Sequence, residues 1–208
     1  MPRSSAFRAL PVAFYRRPVE QVARELLGRY LVRRLPDGRR LVVRLVEVEA
    51  YLGALDRASH AWGGRRTARV ESLYLPGGYA YVYFIYGMHF CLNAVAGAAN
   101  EGGAVLLRAG EPLAGDETMA DLRALRRPPR PGDLAGGPGK LCKALAVDRA
   151  FDGAPLYRGD LRITAGEPAE PAAVASGPRV GIDYAEEAVD WPLRFAVRGN
   201  RHVSRPRL

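Results

Sequence analysis

The stretch LVEVEAYLG, residues 45–53, places reactive side chains in an otherwise aliphatic segment. The alternation of a β-strand puts Glu47, Glu49 and Tyr51 on one face of it. An ionised carboxylate among Val and Leu is costly unless it is paired or hydrogen-bonded, and two carboxylates on one face repel each other. Such a pair indicates either a catalytic site or a structural ion pair, because perturbed carboxylates occur in both.

Tyrosines dominate a second segment, YAYVYFIYGMHF. Alternation places Tyr79, Tyr81 and Tyr83 on one face of a strand and leaves Tyr86 at a turn beside Gly87. A tyrosine-rich strand is more often a packed sheet surface than a platform for bases. A tyrosine at an exposed hairpin tip has no such packing role, and aromatic rings among basic residues are typical of nucleic-acid binding.

The charge balance points weakly in the same direction. The chain has 31 Lys and Arg against 22 Asp and Glu, a formal net charge of +9. A basic excess favours a polyanionic partner, because bound cationic side chains release counterions from phosphates. The only lysines are Lys140 and Lys143. The base composition of the genome therefore explains the abundance of arginine equally well.

Other kinds of site find little support. Cys91 and Cys142 are too far apart for a C-x-x-C motif, so we expect neither a disulfide nor a redox centre. The histidines show no metal-ligand spacing, so no metal site is expected. The sequence has no G-x-S-x-G elbow of a serine hydrolase. Residues 134–141 do not fit a Walker loop, although glycines precede Lys140 at a helix start where an anion could bind.

No apolar run approaches the roughly 20 residues that span a bilayer. The N-terminus lacks the apolar core and cleavage site of a secretory signal, so we expect a cytoplasmic protein.

A single domain is expected over residues 1–208, with about the first 17 residues and the last few flexible. Apolar periodicity and turn residues predict helices over 18–27, 115–127 and 140–147, strands flanking Pro36-Asp37-Gly38, a hairpin through 79–96, and strands at 104–109, 161–164, 179–182 and 193–199.

Several long segments together resemble one family. The segments RLVEVEAYLGALDRASHAWGGRRTAR, AYVYFIYGMHFCLN, AVLLRAGEPLAG, GGPGKLCKALAV and PLRFAVRGNRHVS resemble, in order and spacing, the alkyladenine (3-methyladenine) DNA glycosylases of base-excision repair. The resemblance covers roughly residues 18–204. It implies a mixed α/β (α+β) fold, a single domain with a curved, mainly antiparallel β-sheet surrounded by helices and a protruding β-hairpin. It also implies a monomer that needs no cofactor, acts on double-stranded DNA containing damaged purines, and is nucleoid-associated if bacterial.

The resemblance assigns the chemistry to three residues. Glu49 matches the glutamate that activates a water molecule for attack on the deoxyribose carbon bearing the damaged base. Arg108 and the backbone carbonyl of Val203 match the groups that hold this water. An oriented water avoids part of the entropy cost of the attack. Glu47 has no catalytic role in the family pattern, and we expect it to pair with an unidentified arginine.

The base-binding roles follow from the same resemblance. Tyr51, His60 and Tyr83 match residues that sandwich or hydrogen-bond the extruded base. Asn93 matches the residue that disfavours normal guanine by a clash with its exocyclic amine, and Tyr86 matches the side chain that fills the gap left in the duplex. We also expect Arg65, in the basic run GGRRTAR, and Lys140 to contact DNA phosphates.

The resulting hypothesis is a monofunctional glycosylase that flips an alkylated or deaminated purine and leaves an abasic site. With no lysine near the pocket segments, we predict no Schiff base. A binding module of the same fold without catalysis is the alternative, although a binder has no need of a buried carboxylate. A carbohydrate hydrolase using Glu47 and Glu49 ranks last, because its two carboxyl groups must flank the bond. Residues 65–74 depart from the pattern of many relatives, so the loop conformation there is not predicted.

Overall fold

The longest strand organises the molecule. The computed structural model describes residues 4–208 and contains one sheet of eight strands, all of whose pairings are antiparallel. The strands are β1 (Tyr30–Arg34), β2 (Arg40–Tyr51), β3 (Ala80–Ile85), β4 (His89–Val95), β5 (Ala104–Ala114), β6 (Leu161–Thr164), β7 (Val174–Gly177) and β8 (Arg194–Val197). Six of them follow the order β3-β4-β5-β2-β1-β6, and β7 pairs with β8 beside this path. One edge of β2 pairs with β5, and the other pairs first with β1 and then with β8.

The helices are short and cover the main core. They are α1 (Val12–Tyr15), α2 (Val19–Leu26), α3 (Asp116–Leu122) and α4 (Pro138–Ala144). Helix α2 packs on β2 and β5, and α4 packs on β4 and β5, so the centre of the sheet is buried beneath them. The predicted α+β fold with a mainly antiparallel sheet is confirmed. In the described part of the chain, no helix has the length and apolar character needed to cross a bilayer.

A β-bulge decides which side chains of β2 face the main core. Leu45 pairs with Gly110 and Glu47 with Ala109, so Val46 is an extra residue on β2. Before this bulge, Leu41, Val43 and Leu45 face the main core; after it, Val48 and Ala50 do. A β-bulge inserts one residue and so changes the phase of the alternation. Glu47, Glu49 and Tyr51 are thereby turned to the opposite face from Leu45.

The bulge on β2 has a counterpart on β5. Glu47 pairs with Ala109 and Val48 with Leu107, which makes Arg108 the extra residue of its own strand. Bulges are often found beside active sites, where they re-aim a side chain. The two irregularities bring Arg108 next to Glu47 and Glu49.

Most predicted elements are confirmed, but one strand is wrong. The helices, both hairpins and the strands at 104–109, 161–164 and 193–199 lie where predicted, although α3 ends at Leu122. Residues 179–182 form a loop instead of a strand, because Gly181 has a left-handed φ of 75° and the backbone N–H of Val180 is used by a carboxylate. The strand in this region is β7, and short 3₁₀ turns occur between residues 53 and 74.

The first residues of the described chain pack on the domain. Leu10, Phe14 and Tyr15 are buried, and Arg17 pairs with Glu25 of α2 at 2.9 Å. The N-terminal segment is therefore part of the core that α2 covers.

Candidate active site

A cavity of about 330 Å³ opens at the end of β2, between the β3–β4 hairpin and the loop at 180–184. Its volume lies at the lower end of the range of about 300–1,000 Å³ typical of small-molecule sites. We call it the aromatic cavity, because rings supply much of its wall. Its lining includes six of the predicted site residues: Tyr51, His60, Tyr83, Tyr86, Asn93 and Arg108.

Glu49 lies directly behind this wall and is fully buried. Its Oε1 accepts a hydrogen bond from the N–H of Val180 at 2.8 Å and lies 3.3 Å from Nη1 of Arg108. Its Oε2 accepts a hydrogen bond from the hydroxyl of Tyr51 at 2.9 Å. Since each carboxylate oxygen has two lone pairs, Oε2 keeps one acceptor position for a further donor such as water.

Two opposing influences set the pKa of Glu49. Burial raises the pKa above its usual value, and the nearby Glu47 acts in the same direction. Arg108, the N–H of Val180 and the hydroxyl of Tyr51 lower it. A carboxyl with a raised pKa is a stronger proton acceptor than a solvated one, provided that it is ionised at the working pH.

Tyr51 is supported from behind by a buried ion pair. The guanidinium of Arg179 lies 4.7 Å from the centre of the Tyr51 ring and covers one of its faces. Arg179 and Asp56 are both completely buried, and Nη2 of the arginine donates to the carboxylate at 2.8 Å. Asp56 also accepts from the N–H groups of Leu52 and Ala58, both at 3.0 Å. The pair therefore ties the loop after β2 to the loop that supplies the N–H to Glu49.

The opposite part of the cavity is an aromatic group around His60. Its Nδ1 lies 2.7 Å from the hydroxyl of Tyr81, and its ring meets the Tyr83 ring edge-on at 4.6 Å between centroids. His60 lies at the open rim, where partial loss of water and the charges of Arg69 and Arg65 lower its pKa. A neutral imidazole follows at pH 7, with Nε2 left for a ligand.

Asn93 is fixed on the floor of the cavity. It pairs with Tyr81 across β3 and β4, and its Nδ2 donates to the carbonyl of Tyr81 at 3.0 Å. Because the residue is also buried, its amide cannot rotate away from a ligand without losing this hydrogen bond.

Tyr86 stands at the tip of the β3–β4 hairpin. Its side chain is 78% exposed, and its φ of 54° lies in the left-handed region. A bulky residue is rare there, because Cβ crowds the neighbouring carbonyl. Strain of this kind is more common at functional sites than elsewhere.

Glu47 has the partners that the sequence could not identify. Its Oε1 accepts from Nε of Arg108 at 3.0 Å, Nε of Arg194 at 2.7 Å and Oγ of Ser204 at 2.9 Å, and its Oε2 accepts from the N–H of Ser204 at 2.6 Å. All four residues are buried. The predicted ion pair is confirmed, and with Glu49 it completes a group of two carboxylates and two guanidiniums.

Besides Glu49, three predicted site residues lie outside the lining of the aromatic cavity. Val203 and Lys140 line a second cavity on the other side of Arg108, and Arg65 lines a third, which shares His60 with the first.

The expectation that no lysine lies near the pocket segments is corrected. Pro138 and Gly139, which precede Lys140, lie in the wall of the aromatic cavity, although Nζ of Lys140 turns away to the carbonyl of Gly132 at 3.2 Å.

The sequence did not single out Asp56, Arg179, Arg194 or Ser204. The available signal was a charged residue in an apolar run, as at Arg179 in RVGI and Arg194 in PLRF.

Cys91 lines the aromatic cavity as a free thiol, and burial raises its pKa. Cys142 is also a free thiol. Within residues 4–208, no three His, Cys, Asp or Glu side chains are grouped as metal ligands.

Comparisons with known proteins agree on one family. The family model described as methylpurine-DNA glycosylase matches residues 13–201. A human protein named DNA-3-methyladenine glycosylase is 45% identical over 94% of this chain and 67% of its own length. Relatives from Methanocella arvoryzae and Desulfitobacterium hafniense are 47% and 44% identical, over 94% and 92% of this chain, and each is covered over 96% of its own length.

Proposed function

Because the chain belongs to the methylpurine-DNA glycosylase family, we propose that it excises alkylated or deaminated purines from duplex DNA with a water activated by Glu49. The protein is a monofunctional DNA glycosylase, a hydrolase acting on N-glycosyl bonds. Its product under this proposal is an abasic site, and water supplies the new oxygen at the sugar carbon.

The observation that carries the proposal is the setting of Glu49, a fully buried carboxylate with one acceptor position left beside an aromatic cavity. In the proposed step, Glu49 takes a proton from water as the oxygen bonds to the sugar carbon. The carbon–nitrogen bond breaks, and the purine leaves with the bonding electron pair. Until it accepts the proton, the carboxylate charge of Glu49 stabilises the cation-like sugar, because little solvent screens it at that depth.

The cavity walls suit a flat and often cationic base. An alkylated purine with a positive charge gains about 0.5–2 kcal/mol over an electron-rich ring. Tyr51 and Tyr83 offer such rings, and Asp56 offsets the charge of Arg179 behind Tyr51. Under the proposal, the fixed amide of Asn93 rejects guanine by contact with its exocyclic amine.

Tyr86 fits the role of holding the duplex open. Extruding a nucleotide costs a few kcal/mol, and a ring placed in the gap restores part of the lost stacking. The exposure of Tyr86 and the two paired strands that carry it favour this role.

Three further residues have proposed roles outside the aromatic cavity. Arg65 and Lys140 are proposed to contact DNA phosphates, and the carbonyl of Val203 is proposed to bind the attacking water.

Base release tests the proposal directly. Duplex oligonucleotides carrying hypoxanthine, ethenoadenine or 7-methylguanine are incubated with the wild-type protein and with Glu49→Gln. We expect abasic sites from the wild type and none from the variant, although the variant still binds the DNA. Borohydride should trap no covalent adduct. Binding without release by the wild type on every lesion would favour the non-catalytic module instead.

A further inference from the structure

The second cavity, of about 540 Å³, is larger than the aromatic cavity and adjoins it. Arg108 and Pro138 line both, so the two spaces lie on either side of a shared wall. The second cavity is formed by the loop at 131–137, the residues around Lys140 and the C-terminal segment at 201–207. We call it the basic groove.

The lining of the groove carries a large positive excess. Its basic members are Arg108, Lys140, Arg201, Arg205 and Arg207, and its only acidic member is Asp133. The N–H of Arg130 at 2.9 Å and Nη1 of Arg127 at 2.8 Å already engage the Asp133 carboxylate.

Among the residues that the structure describes, the three C-terminal arginines have no acidic partner. Within residues 4–208, no carboxylate lies at ion-pair distance from Arg201, Arg205 or Arg207. All three are exposed. Their guanidinium groups are therefore accessible to an anion that enters the groove.

The backbone that carries these arginines is held in place. Ser204 is bound through its N–H and its hydroxyl to the buried Glu47, and Nη2 of Arg194 donates to the carbonyl of Pro206. A charged side chain on a fixed backbone loses less entropy on binding than one on a free tail. The positions of Arg205 and Arg207 are thus set by the same network that holds Arg108.

We propose that the basic groove binds the phosphodiester backbone of the DNA strand beside the nucleotide that occupies the aromatic cavity. The identification of the polyanion as DNA rests on the proposed function. The shared wall supports this assignment, because a strand that delivers a base to one side of Arg108 must continue past it. Phosphates gain most from several cationic groups together, since each neutralised phosphate releases counterions.

The test compares two triple variants that lose the same charge. The groove variant carries Arg201→Gln, Arg205→Gln and Arg207→Gln. The control carries Arg16→Gln, Arg40→Gln and Arg158→Gln, which replace exposed arginines outside the aromatic cavity and the groove. Fluorescence anisotropy gives the affinity of each for an undamaged labelled duplex across a salt series. A thermal unfolding curve for each chain checks that it is folded.

We expect the groove variant to bind about tenfold or more weakly at low salt, with the slope of log affinity against log salt reduced by about 2 to 3. The control should stay close to the wild type in both quantities. Equal effects in the two variants, or none in either, would overturn the groove as a specific site. If the groove variant unfolds, the single reversal Arg205→Glu against Arg158→Glu decides by the same readout.

The outcome is separable from that of the proposed function, because binding of undamaged duplex requires no base release. A wild type that excises bases while both triple variants bind normally refutes the groove alone. A wild type that excises nothing, with binding lost only in the groove variant, refutes the proposed catalysis and leaves the groove standing.

Discussion

Replacing Glu47 by Gln should destabilise the fold strongly, although the two side chains are nearly the same size. In the wild type, the carboxylate offsets the guanidiniums of Arg108 and Arg194, and all three groups are buried. In the variant, Arg108 would keep only Glu49 as a carboxylate partner, and Arg194 would lose its carboxylate partner. One amide oxygen can still accept at the position of Oε1, but the amide nitrogen then meets the N–H of Ser204, where donor faces donor.

The expected cost follows from what is lost. Removing one member of a buried ion pair typically costs about 3–5 kcal/mol, because the remaining charge is left without a partner. The conserved volume adds no cavity term. This loss is a large part of the total stability of about 5–15 kcal/mol usual for a domain. For a chain of this size, it corresponds to a melting temperature lower by roughly 6–20 °C.

Urea unfolding followed by tryptophan fluorescence measures the effect. The control is Glu20→Gln, which breaks an exposed pair with Arg24 and should cost about 0.5 kcal/mol or less. Adding Arg194→Gln to Glu47→Gln removes the excess positive charge. The double variant should therefore be more stable than the sum of the single effects predicts, by about 1 kcal/mol or more. A loss below about 1 kcal/mol for Glu47→Gln would refute the reasoning.

Three further predictions concern the proposed site. Tyr51→Phe removes the hydroxyl that lowers the pKa of Glu49, so the pKa should rise and the low-pH arm of the single-turnover rate profile should move to higher pH; an unmoved arm would contradict the contact. Tyr86→Gly should raise the free energy of unfolding by about 1 kcal/mol through relief of strain, while base release from duplex DNA falls and release from a single strand changes little. A less stable Tyr86→Gly would show that the backbone is unstrained. Asn93→Ser should increase release of normal guanine, measured with labelled undamaged DNA, and an unchanged rate would remove Asn93 from selectivity.

Local signals in the sequence predict much of this fold. The helical spacing of Val22, Ala23 and Leu26 and the turn at Pro36-Asp37-Gly38 are contained within a few residues, so they can be recognised without tertiary contacts. The expectation that Glu47 is paired rests on the cost of burying a charge. That cost says nothing about the partner, and Arg194 lies 147 positions away along the chain.

The loop around Val180 illustrates what local patterns miss. RVGI has the apolar, β-branched composition of a strand, yet its N–H at Val180 and the side chain of Arg179 serve Glu49, Asp56 and Tyr51. Tertiary demands override the local preference there. The contacts of Glu49 therefore became apparent only in three dimensions, although the sequence identified the residue itself as a candidate.

The bulge at Val46 sets the face of every β2 side chain that follows it, including Glu49. With strict alternation from Leu45 onward, Glu47, Glu49 and Tyr51 would point into the main core beneath the helices, and Val48 and Ala50 would take their places. Loss of the bulge with the sequence unchanged would thus exchange a surface that carries carboxylates for an aliphatic one without altering a single side chain. Deletion of Val46 would instead remove the extra residue together with the bulge, so Glu47, Glu49 and Tyr51 would stay on the face opposite Leu45.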